Sequence, residues 1–114
     1  MAKQQAELMK GTLDLLVLKT LALEPRHGVG VADRIQQISG GTFVVRPGSL
    51  FPALRRLERD GLIKGAWRVT ENNRQAKYYA LTAAGRAELK RGTREWEVQT
   101  TAIARILKAS AGEL

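Results

Sequence analysis

Arg55, Arg56 and Arg59 fall within five consecutive residues of the segment RPGSLFPALRRLERDGLI, which runs from Arg46 to Ile63. A guanidinium is a planar fork of N–H donors that pairs with guanine O6 and N7 or with phosphate oxygens. The chemistry offered is recognition of an anion. At about 100° per residue, Leu50, Ala53, Leu54 and Leu57 share one helical face. Pro52, Arg55, Arg56 and Arg59 lie opposite. The spacing therefore predicts a short helix with one face to bury and one to present cations. Ser49 is expected as its N-cap, Pro52 in its first turn and Gly61 as its stop. Ser49 with the helix N-terminus suits a phosphate, and Arg46 adds charge just before it.

The residues after Gly61 must position that helix. Leu62–Val69 and Ala76–Leu81 read as strands, with Trp67, Val69, Tyr78, Tyr79 and Leu81 supplying β-formers. Between them, Thr70 to Gln75 is a polar turn with an Asn pair. Arg74 and Lys77, on or beside this turn, suit phosphate backbone or minor-groove contact. A basic helix followed by a basic hairpin has the shape of a winged helix-turn-helix.

The charge distribution agrees. Nineteen Lys and Arg against eleven Asp and Glu give the 114-residue chain a formal charge of +8. Residues 46–81 hold eight basic and three acidic residues, five of those net charges in about a third of the chain. Such a bias favours a nucleic acid or another anionic partner over a merely soluble basic surface.

Catalysis has little to work with. The chain has one His and no Cys, so no Ser/His/Asp or Cys/His set can be assembled. Disulfides and Cys-based metal sites are excluded. His27, with no acidic cluster near it, reads as a turn or cap residue. Neither Gly40-Gly41 nor Gly28-Val29-Gly30 has the strand-to-helix context of a phosphate-binding loop. No enzyme, metal or cofactor is expected. No apolar run approaches the ~20 residues of a membrane span, and MAKQQAELMKGT lacks an apolar signal core. A cytoplasmic protein that avoids membranes is expected.

The remaining elements supply a scaffold. Residues 1–11 are polar apart from Leu8 and Met9, and either fray or extend the next helix backwards. Thr12 is expected to cap a strongly apolar helix, LDLLVLKTLALE, that must be buried on several sides. A second helix is expected over Val29–Ile38, ended by Gly40-Gly41, and Thr42–Val45 reads as a short strand able to pair with the hairpin. Thr82 opens a last, long helix on which Leu89, Trp96 and Ile103 repeat every seven residues, joined by Ile106 and Leu107. The core of the first three helices cannot cover this stripe, so a second copy of the chain is its simplest partner, with the first dozen residues able to pack there too. The expected class is mainly α with a small antiparallel hairpin wing. Residues 1–82 form the winged domain and 83–114 a dimerisation helix.

GSLFPALRRLERDGLI resembles the PadR family of bacterial winged-helix regulators, whose usual form is GTLYPALRRLEEDGLI. The similarity continues in GTLDLLVLKTLALEPRHGVGVADRIQQ and in ENNRQAKYYALTAAGRAEL, spanning about residues 10–107. The ENNR wing and the Trp96 segment resemble a subgroup often found beside permease genes. The resemblance implies a homodimer on palindromic double-stranded DNA, a repressor of a nearby operon, with repression relieved by a small-molecule effector. Arg46, Ser49, Phe51, Pro52, Arg55, Arg56, Arg59, Arg74 and Lys77 would face DNA. Leu89, Trp96, Ile103, Ile106 and Leu107 would face the partner. Two positions depart from the family: Phe51 stands where Tyr is usual, losing a hydroxyl, and Val29 follows His-Gly where Tyr or a similar group is usual. The rival reading is a winged-helix adaptor whose basic face meets an acidic protein.

Overall fold

The computed structural model describes residues 11–112. Its elements, in order, are α1 (Thr12–Leu23), β1 (Arg26–His27), α2 (Gly28–Ile38), α3 (Pro47–Arg59), β2 (Ile63–Val69), β3 (Gln75–Leu81) and α4 (Ala83–Lys108). This is the mainly α class with a small antiparallel sheet.

The first three helices close on one core. Val17, Leu18 and Leu21 of α1 meet Val31 and Ile35 of α2 and Leu50, Leu54 and Leu57 of α3, with Ile63 and Tyr79 sealing the sheet side. Each fully buried Leu or Val contributes ~1.5–3 kcal/mol from removal of apolar surface from water. That term fixes which face of α3 turns inward, and hence which turns out.

Helix ends follow local chemistry. The α3 C-terminus is a Schellman turn: Leu62 N–H donates to the Leu57 carbonyl (2.9 Å) and Gly61 N–H to Glu58 (3.1 Å), with Gly61 at φ +75°. Gly40 and Gly41 end α2 in the same way, donating to Gln37 and Gln36. His27 caps α2, its Nδ1 accepting the Gly30 N–H at 3.0 Å, as the cap reading of this lone histidine expected. Thr82 caps α4 through Gly85 N–H (3.0 Å), and its hydroxyl also donates to the Gly61 carbonyl (2.7 Å). Thr82 thus ties the end of α3 to the start of α4.

Several boundaries differ from expectation. Ser49 is not the N-cap of α3: the helix starts at Pro47, three residues earlier than that cap implies, Arg46 occupies the cap position without a side-chain bond, and Pro52 lies inside the helix rather than in its first turn. A proline with its φ already helical and no N–H to satisfy is a good first residue, which moves the start. Gly11, at φ +88°, takes the cap position assigned to Thr12, which is the first helical residue instead. The residues before Gly11 lie outside the described ones. Thr42–Val45 forms no strand. The third strand is Arg26–His27, pairing with β3 at Tyr79 and Tyr78, in the order β1-β3-β2. Short β1 reaches the sheet because the α1–α2 turn passes its edge, a tertiary effect that β-propensity does not report.

Along α4, Leu89 packs on the core and Gly92 lies against Leu15 of α1. Beyond Trp96 the helix projects, stretching the molecule to 64 × 39 × 21 Å. No helix among the described residues is long and apolar enough to cross a membrane.

Candidate nucleic-acid interface

Burial of Leu50, Ala53, Leu54 and Leu57 leaves Arg55, Arg56 and Arg59 exposed on α3, as the periodicity required. The three arginines are not equivalent. Arg56 is held 2.6 Å from Asp14 of α1, and Arg59 lies 3.2 Å from its neighbour Asp60 with 71% of its side chain exposed. Among the described residues no ion pair engages Arg55. With Pro52 and Glu58 the arginines line a shallow depression on the outer face of the helix. Arg46 and Ser49 are exposed at its N-terminal end. Phe51 is turned aside: a Cβ built on Gly28 would lie 2.9 Å from its ring, so it packs on the start of α2.

The hairpin is in register from Ile63↔Leu81 to Val69↔Gln75. Alternation divides it. Ile63, Gly65, Trp67 and Val69 share the face turned to α3; Lys64, Ala66 and Arg68 share the other. The turn is closed by Thr70 N–H donating to the Arg74 carbonyl (2.7 Å), with Asn73 in the left-handed region at φ +57°. Asn accepts that conformation readily, which explains the Asn at position 73. Arg74 is exposed there. Lys77 is not at the tip but lies back along β3, its Nζ 2.8 Å from the Glu58 carboxylate of α3.

Sequence reasoning placed the arginines of α3 and the turn, and missed their neighbours. Asp14–Arg56 and Glu58–Lys77 join residues forty-two and nineteen positions apart, and nothing in local spacing signals either pair. Arg68, stacked 5.0 Å from the Tyr78 ring, and Trp67, 67% exposed, also belong to the wing surface. Their signal was the alternation of β2 itself.

On the far side, α4 carries an open apolar strip. Ile103, Ile106 and Leu107 are exposed along one face, the last two at 74% and 80%, while Val98, also exposed, lies on the opposite side of the helix from Leu107. Leu89, expected in this strip, is packed on the domain's own core instead, because the first turns of α4 lie against α1. Trp96 is intermediate in place: half-exposed, it lines a groove of about 470 Å³ between α1 and α4, with Leu15, Leu18, Asp14 and Glu88. Arg91 on the rim is engaged by Glu88 and Glu95, and these hydrogen bonds hold it above its ordinary pKa. Among the described residues no group of His, Asp and Glu could hold a metal ion.

Comparison with known proteins agrees with this architecture. The Transcriptional regulator PadR-like family matches residues 17–91. The chain is 35% identical over 91 residues to the transcriptional regulator Rv3488 of Mycobacterium tuberculosis, covering 80% of this chain and 81% of that protein. Among solved structures, a transcriptional regulator from Clostridium thermocellum superposes with a TM-score of 0.79 at 26% identity, covering 87% of this chain and 96% of the other. A PadR-like transcriptional regulator from Bacillus cereus gives 0.77 at 27%, covering 89% and 96%.

Proposed function

Because this chain belongs to the PadR-like family of transcriptional regulators, which are not enzymes, we propose that it acts as a homodimeric repressor that binds a palindromic operator near the genes it controls. A small ligand that relieves repression completes the proposal. The observation that carries it is the sorting of α3: four apolar residues fill the core, while three arginines stand outward beside a basic hairpin. A helix of that kind fits the major groove, where arginine reads guanine edges and phosphates supply most of the affinity. Arg55 and Arg59 are proposed for the groove or its walls. Arg46 and Ser49 would take phosphate at the helix start, and Arg74 would meet backbone from the wing. Phe51 and Pro52 shape the approach.

The second half of α4, beyond the turns that pack on α1, is proposed as the dimer element. Exposed strips of this kind are seldom left in water by a monomer. A two-fold pair would set two α3 helices on successive major-groove faces, about 34–36 Å apart.

The test is mobility of the protein with its own upstream DNA and with a scrambled sequence at rising salt. A regulator keeps its preference at salt that strips non-specific binding. Equal loss on both sequences overturns the reading and favours an acidic protein partner.

A further inference from the structure

We propose that Lys77, through its ion pair with Glu58, is a positioning residue that braces the wing against the DNA-facing helix, and that Gly65 is kept small so that the lysine can reach it. This rests on the DNA-binding reading above. Lys77 starts from β3 and Glu58 from the last turn of α3, and their charged atoms meet at 2.8 Å. Each side chain is only about a third exposed, at 32%, whereas the Arg59–Asp60 pair is open to solvent. The pair is therefore less screened by solvent than Arg59–Asp60 and is comparable with Arg56–Asp14, the other ion pair from α3 to a separate element.

Three further observations fix the lysine's path. Gly65 pairs with Tyr79, one step along the shared face from the Trp67↔Lys77 pair. A Cβ built on Gly65 would overlap the Lys77 Cε and stand 3.0 Å from a Glu58 carboxylate oxygen. The lysine stem thus occupies the space that a side chain at 65 would need. Its Nζ also lies 5.5 Å from the ring centroid of Tyr79, a core residue, within cation–π range. The hydrogen bond from Lys77 to Glu58 raises the lysine pKa above its ordinary value, with the Tyr79 and Glu58 charges adding and desolvation opposing.

Glu58 is the only acidic residue of α3, and it lies in the same depression as Arg55 and Arg59. If its charge merely disfavoured DNA, removing it would tighten binding. Bracing demands the opposite. Lys77 is directed at Glu58, so a phosphate could claim it only by breaking the brace.

The experiment measures operator affinity and its salt dependence for Glu58→Gln, Lys77→Met and the exchanged pair Glu58→Lys/Lys77→Glu. Hydrogen exchange across Trp67–Gln75 is measured in parallel on the same chains without DNA. The expected result is a loss of about fivefold in both single variants, the scale of one partly exposed ion pair. The salt slope stays unchanged, the exchanged pair recovers affinity, and wing exchange is faster only in the single variants. Gly65→Ala, which keeps both charges but displaces the lysine, should reproduce the loss and serves if either charge variant fails to fold.

The proposal is overturned if Glu58→Gln binds as well as or better than the unaltered chain. It is likewise overturned if Lys77→Met lowers the salt slope by about 0.9, the signature of one lost phosphate contact. Unchanged wing exchange in every variant also overturns it. Absence of any operator preference in the unaltered chain sinks the DNA reading instead, while the exchange data still decide whether the brace exists.

Discussion

The Arg56 guanidinium lies 2.6 Å from the Asp14 carboxylate, an ion pair that fastens α3 to α1. Among the described residues its neighbour Arg55 carries no such tie. Adjacent residues with the same side chain therefore start from different states: one must give up a partner to reach DNA, the other need not.

Arg55→Ala is accordingly expected to cost more operator affinity than Arg56→Ala, with the fold intact in both because the side chains face solvent. A lost bidentate base contact costs ~1–3 kcal/mol and relaxes preference at one base pair. Asp14→Asn should free Arg56 and steepen the salt dependence by up to ~0.9. Titrations with operator at matched salt check the order; Arg56→Ala being the more damaging would reverse the assignment.

Arg74 sits in a turn of polar residues, a poor platform for exact base readout but adequate for phosphate. Arg74→Ala should weaken operator and scrambled DNA by the same factor and reduce the salt slope by ~0.9. A selective loss on operator alone would make Arg74 a base-reading residue.

Two helical glycines should respond very differently to one added methyl. At Gly85 a Cβ would collide with the Leu62 backbone carbonyl, which cannot rotate away. Gly85→Ala is expected to destabilise by ~3 kcal/mol or more, above the usual range for overpacking with movable neighbours. At Gly92 a Cβ would stand 2.9 Å from Leu15 Cδ1, the end of a flexible side chain. There the helix-propensity gain of ~1 kcal/mol offsets the repacking. Urea unfolding of the two variants measures the contrast, and equal midpoints would refute it.

Ile103→Asp and Ile106→Asp place charge on the projecting half of α4, beyond the contacts with α1. Sedimentation is expected to show a folded monomer, with binding reduced to the weak half-site level. Trp96→Asp should also release the monomer but lower stability as well, because Trp96 lines the α1–α4 groove. Ile106→Asp remaining a full dimer would remove the strip from the interface.

What was legible in the sequence was whatever repeats locally. The 3.6-residue spacing of Leu50, Ala53, Leu54 and Leu57 gave the orientation of α3, and Gly61 and Gly40-Gly41 gave helix ends. The Asn pair gave the turn. The heptad marks of α4 could not distinguish a residue packed on its own domain from one left open: Leu89 and Ile103 occupy equivalent positions, yet only Leu89 meets the core. That difference depends on where α1 runs out. For the same reason β1, Asp14–Arg56 and Glu58–Lys77 were hidden: each is created by the approach of segments distant in the chain.

The contact between Gly85 and the Leu62 carbonyl has a mechanical consequence. Backbone meets backbone there, with no side chain between to yield, and Thr82 bonds the same corner to Gly61. The 26 residues of α4 make an arm about 39 Å long at 1.5 Å per residue, fixed to the winged domain at that corner and along α1 at Leu89 and Gly92. Moving as one body with the domain, such an arm carries its far end through ~3 Å for a tilt of about 5°. In the proposed dimer the same leverage runs backwards: a small slip between two α4 tips turns each winged domain as a body and alters the reach between the two α3 helices.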